Sequence, residues 1–251
     1  MMSYSKKGGF REPNEPINHE ITTEHTNNID FVVPSINYSK QDGIKDPLTF
    51  LIIISGGEKR EKQYFNLIEK NNFNKIKLEF IADPKRLNPQ GMLDVANEVK
   101  LRYLDNEAKE FPDDYYLVSD VDHFYNDLLK ILPKCKEQKL HLIISNPCIE
   151  IWLYYGEFSV LPSDFNIPKL EKNISGQFKR YLDQKINGGV DPRKAIFNIE
   201  TAKHNSKNNY KVDDKEIPKL FSTSMWQLAE KIIPLIIDKL DELRRNMEKR
   251  N

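Results

Sequence analysis

Three short strings hold most of the side chains that could do chemistry. They are Ser55-Gly56-Gly57-Glu58-Lys59-Arg60-Glu61, Asp120-Val121-Asp122-His123 and Ser145-Asn146-Pro147-Cys148-Ile149-Glu150. Each follows a run of β-branched and aliphatic residues, so each reads as the turn beyond the carboxyl end of a strand. In open parallel sheets that edge is where ligands bind. All three turns carry carboxylates, and none is flanked by a cysteine or paired-histidine ligand set. Hard oxygen donors of this kind suit Mg²⁺, or Mn²⁺, held by one or two carboxylates together with substrate phosphates. Asp120 and Asp122 can both reach one ion where a turn breaks the alternation of the strand, with Glu58 or Glu150 completing the site. Like charges so close oppose one another's ionisation unless a cation compensates them. The same acids also suit a plainer role, because Asp after a strand often accepts N–H groups at a helix start.

The basic candidates are fewer. Lys59 and Arg60 fall on the first turn of a helix, and Lys172, Lys179, Arg180 and Lys185 lie on a later one with Phe178 and Tyr181 between them. Lys59, Arg60 and Lys179 are the candidate phosphate contacts, since such contacts come from scattered Lys and Arg; a solvated helix face accounts for the same residues. Ser55-Gly56-Gly57 lets backbone N–H groups approach a phosphate, or is simply a tight turn. It is not a Walker A loop, because no G-x-x-x-x-G-K-[ST] string is present. Asn146 is a candidate substrate contact, and Asn146-Pro147 also reads as the cap and first residue of a helix with Glu150 in its first turn. Cys148 has no basic neighbour to make a thiolate and reads as buried and structural. His123 could serve as a ligand or proton carrier, or be incidental.

Elements that would position these residues are legible in the periodicity. Residues 49–54, 77–82, 115–119 and 140–145 read as strands. Between them, Glu61, Tyr64, Phe65 and Ile68 share a helical spacing, as do Met92, Val95, Ala96, Val99 and Tyr103. Leu128, Leu129, Leu132 and Cys135 mark a helix that Pro133 bends or ends, and a fourth helix runs to about Tyr155. Strand and helix alternating four times predict an α/β fold with a mostly parallel sheet flanked by helices. After Phe158 the strands stop, and residues 170–185, 192–204 and 224–250 read as helices, the last kinked at Pro234, with a polar loop over 205–219. The expected organisation is an extended or partly disordered arm over 1–46, an α/β core over 47–160 and a helical C-terminal extension over 161–251.

Composition narrows the classes. The 251 residues carry 38 Lys+Arg against 38 Asp+Glu and two Cys, with 10% aromatics. Zero net charge excludes an evenly polycationic binder but not a local basic groove. Two cysteines are too few for a disulfide scaffold. The longest apolar runs, residues 50–54 and 232–237, fall far short of the roughly 20 residues of a spanning helix. No secretory signal is visible at the start. A cytoplasmic protein with no membrane span is expected.

The strings also carry a resemblance. Residues 51–65 (LIIISGGEKREKQYF), 118–123 (VSDVDH) and 144–153 (ISNPCIEIWL) resemble the RloB-like family, a branch of Toprim-like proteins of prokaryotic defence loci. The likeness covers residues 48–251, and its most specific part is S-N-P-C-x-E-x-W-L. It implies a Toprim-like, Rossmann-like core with an acid after the first strand and a D-x-D after a later one, chelating Mg²⁺ for phosphodiester chemistry. By that likeness the chain is a metal-dependent nuclease acting on RNA, tRNA included, or DNA, in antiviral defence or abortive infection. An ATPase partner follows by family analogy, and a homo-oligomer is compatible with it.

Two departures stand out. The family's first turn reads Glu-Gly-Glu where this chain has Gly56-Gly57-Glu58, so Gly56 occupies the place of the expected Glu. Glu58 matches the second Glu, and Glu61 matches the acid of the following helix. The family's His after Trp-Leu is absent from Tyr154-Tyr155-Gly156-Glu157. These departures favour an alternative, a catalytically attenuated binding or regulatory module of a defence complex. A metal-dependent phosphatase or nucleotidyl hydrolase is a third class that suits the same acidic edge.

Overall fold

The computed structural model describes residues 48–71, 73–105, 111–166, 173–186 and 189–249. The expected arm over 1–46 lies outside the described residues, as does Lys172. Lys45–Asn251 form one compact unit. Its centre is a sheet of β1 (Thr49–Ser55), β2 (Ile76–Ile81), β3 (Asp114–Asp120), β4 (His141–Asn146) and β5 (Ser222–Thr223), in the order β2-β1-β3-β4-β5. The first four strands pair in parallel and β5 runs antiparallel to β4. This is a Rossmann-like α/β arrangement.

Side chains on a strand alternate between faces, so both faces of β1 need cover. Leu51 and Ile53 point into one core with Tyr64, Phe65 and Ile68 of α1 (Arg60–Lys70). Trp152 and Leu153 of α4 (Glu150–Tyr155) join that core, as do Leu228, Ile232 and Ile236 of α8 (Met225–Glu248). Phe50, Ile52 and Ile54 point the other way, onto Met92, Val95, Ala96 and Val99 of α2 (Pro89–Asp105) and onto Leu128 and Ile131 of α3 (Tyr125–Glu137). A third cluster joins Ile151, Tyr154 and Tyr155 of α4 to Phe178 and Leu182 of α5 (Ile174–Lys185).

Several expectations need correcting. Pro133 does not end α3, which continues to Glu137. Leu128 and Ile131 before it and Cys135 after it are all buried on one face, so packing holds the helix through the missing N–H. Residues 192–204 are not one helix but α6 (Pro192–Ala195), a 3₁₀ turn and α7 (Ile199–Asn208). The strands do not stop at Phe158. β5 closes the β4 edge with only two residues, too short to leave a period in the sequence. Its hydroxyls anchor it instead, with Thr223 Oγ1 2.7 Å from Ser145 Oγ and Ser224 Oγ donating to the Ile144 carbonyl.

The chain crosses from β1 to β2 on one side and then to β3 on the other. A parallel sheet opens a crevice at such a reversal, beyond the carboxyl ends of β1 and β3.

Candidate functional site

A cavity of about 380 Å³ fills that crevice. Gly56, Gly57, Glu58, Lys59, Arg60 and Glu61 line it from beyond β1, and Ser119, Asp120 and Asp122 from the end of β3. Ile149 and Glu150 reach it after β4, and Lys179 from α5. Glu58, Asp120, Asp122, Glu150, Lys59, Arg60 and Lys179 are thus brought to one place. Asn146 is not among them. Its side-chain amide donates to the Pro218 carbonyl at 2.8 Å, tying β4 to the loop before β5. Nor does it cap a helix. The Asn146–Pro147 peptide is cis, and α4 starts at Glu150 with Ile149 in the cap position.

The turn after β1 is shaped by close backbone approach. The Gly56 amide donates to the Val118 carbonyl at 2.9 Å, and a Cβ on Gly56 would stand 2.8 Å from the Leu87 carbonyl oxygen. No side chain fits there unless the backbone moves. A Cβ on Gly57 would fall 2.1 Å from the Glu61 carboxylate. The space that Gly57 leaves empty is where the Glu61 carboxylate lies.

Glu61 was visible as an acid on the apolar stripe of α1, beside Tyr64, Phe65 and Ile68, and that misfit is the signal that could have marked it. Burial pushes its carboxyl above the usual range, and the charge of Glu150 adds to the push. Asp120 is held well above the usual carboxylate range, first by burial and then by the charges of Glu61 and Glu150. Lys179 and a backbone hydrogen bond at Ile149 act in the opposite direction. The three acids that sense one another are therefore Glu61, Asp120 and Glu150.

Glu150 is the most confined of them. Its side chain is 0% exposed, and neither oxygen has an aligned hydrogen-bond donor among the described residues. Two cations approach its Oε1, Arg60 Nε at 3.0 Å and Lys179 Nζ at 3.6 Å. Burial works against the charge on Lys179, but Glu150, Cys148, Asp120 and Glu61 outweigh it and raise its affinity for a proton.

Glu58 and Lys59 are exposed at the mouth of the cavity. Asp122 sits at φ 25°, and its carboxylate lies 3.4 Å from His123 Nδ1. The His123 ring packs on Phe124 with 4.1 Å between centroids. Burial pushes the Cys148 thiol well up, and Glu150 and Asp120 reinforce the effect, in keeping with a structural cysteine.

Among the described residues, no group of three or more His, Cys, Asp or Glu is arranged as a complete ligand set for a metal ion. Mg²⁺ does not need one, since it keeps several waters and takes one or two carboxylates plus phosphate. Glu150 Oε2, which has no partner among the described residues, and Asp120 fit such an ion. What the cavity offers chemically is concentrated anionic oxygen with the partly exposed cations Arg60 and Lys179 at its side.

Fold and site define an α/β protein of Rossmann-like type with an acidic, cation-bordered cavity at the switch point of its sheet. Residues 51–232 match the family model described as RloB-like protein, and the chain belongs to that family. No curated protein and no solved structure matches it. No helix among the described residues is long and apolar enough to cross a membrane.

Proposed function

We propose that the protein is a divalent-cation-dependent nuclease that hydrolyses phosphodiester bonds of RNA or DNA at the crevice beyond β1 and β3. The observation that carries this reading is Glu150, a fully buried carboxylate without an aligned donor, set beside Asp120 and Glu61. Arg60 and Lys179 reach only Glu150 Oε1, so a cation at Oε2 would complete the compensation that such burial requires. Asp120 and Glu150 would hold Mg²⁺ or Mn²⁺, with Glu61 in the place left open by Gly57. Glu58 and Asp122 border the mouth. Bound there, the ion supplies charge stabilisation at the phosphate and lowers the pKa of water. Arg60, Lys179 and Lys59 neutralise phosphate oxygens. A role in antiviral defence, in the cytoplasm and beside an ATPase partner, belongs to the same proposal and rests on the family resemblance alone.

The experiment is cleavage of labelled RNA and DNA pools with Mg²⁺ or Mn²⁺, with and without a co-encoded ATPase. Cleavage by the wild type that is lost in Asp120→Ala and Glu150→Gln supports the reading. Cleavage unchanged by Asp120→Ala would sink the site.

A second reading, a binding or regulatory module, is favoured by the packing of Gly56. The Leu87 carbonyl excludes an acid from the strand end where the resemblance expects one. Nucleic-acid binding with no cleavage in any of these conditions would decide for it.

A further inference from the structure

Arg60 and Lys179 serve one buried oxygen, and both are open to solvent on their other side. Their side chains are 32% and 41% exposed, whereas that of Glu150 is 0% exposed. A phosphate entering the cavity can therefore reach both cations, but Glu150 cannot turn to water for replacement partners. If the cations swung to a phosphate with nothing taking their place, a buried carboxylate would be stranded. A second positive charge on Glu150 removes that obstacle. The anion and a divalent cation then each open the site for the other.

We propose that Arg60 and Lys179 form a phosphate seat that Glu150 and a substrate phosphate occupy in alternation, a divalent cation on Glu150 deciding which. This rests on the reading of the cavity as a divalent-cation site. It adds that nucleic-acid phosphate and cation bind as a coupled pair. The coupling is reciprocal, as binding linkage requires: each ligand tightens the other by the same factor. Lys59, exposed at the mouth and paired with no acid among the described residues' salt bridges, lies outside the exchange.

Isothermal titration of the full chain tests it with Mn²⁺ and thymidine 3′,5′-bisphosphate, a nucleotide with strand-like phosphates and no internucleotide bond to cleave. Association of the two ligands in buffer is measured separately and subtracted. The wild type is expected to bind the bisphosphate about tenfold or more tightly when Mn²⁺ is saturating, and Mn²⁺ by the same factor when the bisphosphate is. In Glu150→Gln the bisphosphate binds tightly without Mn²⁺, and the factor falls to about one. Lys179→Gln, which leaves Arg60 on Glu150, shrinks the factor and weakens the bisphosphate, and it stands in for Glu150→Gln should that variant not fold. Tight but mutually independent binding of both ligands to the wild type overturns the exchange and leaves the cation site standing. Failure of Mn²⁺ to bind, with or without the bisphosphate, overturns the cation site and the exchange together.

Discussion

β3 carries acids at both ends, and the two ends treat them in opposite ways. At its start, Asp113 accepts the Phe50 amide at 2.7 Å, and Asp114 lies 2.8 Å from Lys231 Nζ and 3.3 Å from His141 Nε2. Every carboxylate there has its own partner and holds strands or α8 in place. At its end, Asp120 faces two further acids, and the two cations nearby are shared. The chain meets the same chemical problem twice within one strand and resolves it only once. Acids with private partners are structural, whereas acids that share insufficient partners mark the place where a ligand completes the balance.

This contrast can be broken most severely at Asp120. On the proposed reading, Asp120→Asn keeps the shape but removes one of the two carboxylates that would hold an ion contributing several kcal/mol, so cleavage should drop about 10³-fold. Single-turnover assays on the substrate found by pool screening would measure it, and a drop below tenfold would remove Asp120 from the machinery.

Next comes the turn that makes room for Glu61. Gly56→Glu forces the backbone away from the Leu87 carbonyl and should destabilise the fold by about 1–3 kcal/mol without raising activity. Urea unfolding reports the loss. Full stability combined with a gain in cleavage would show that the strand end accepts an acid after all.

A smaller effect depends on pH. Asp120 and Glu61 are raised by burial, so the folded protein binds protons that the unfolded chain releases in the window above the ordinary carboxylate pKa of about 4. Stability from these groups is complete below that value and is lost as pH rises through the raised ones. Asp120→Asn should therefore melt above the wild type at pH 7.5 in chelator, with the gap closing as pH falls toward about 4.5. A gap independent of pH would mean that the acids do not interact as described.

The smallest effect belongs to the other end of the strand. Asp114→Asn breaks partly exposed pairs with Lys231 and His141 and should cost about 1 kcal/mol or less, with cleavage unchanged. Lost cleavage in a folded Asp114→Asn protein would erase the distinction between the two ends.

What the residues announced, and what they hid, follows the same division. The four parallel strands were legible because their faces are both covered, which writes continuous apolar runs such as Phe50–Ile54. The convergence of their edges followed from parallel topology alone. β5 was not legible, because two residues have no periodicity and its hold comes from hydroxyl contacts at long sequence separation. The start of α4 was misplaced because Asn146-Pro147 satisfies local capping preferences that Pro218 and the cis peptide override. Glu61 sat in view within an apolar stripe, yet its partners lie at Asp120 and Glu150, distances along the chain that spacing cannot express. Asp120 and Asp122, grouped by spacing in the sequence, both line the cavity, Asp122 beside His123 and Asp120 in the field of Glu61 and Glu150.

The core that seats α1 includes Leu228, Ile232 and Ile236 of α8, the last element in the chain. The acids and cations of the cavity come from positions 60–61, 120, 150 and 179, and α8 packs in the same core as α1 and α4, which bring the first and third of these. Helix α8 thus lends no side chain to the cavity, yet its apolar face backs two of the elements that line it and bears on the site from behind.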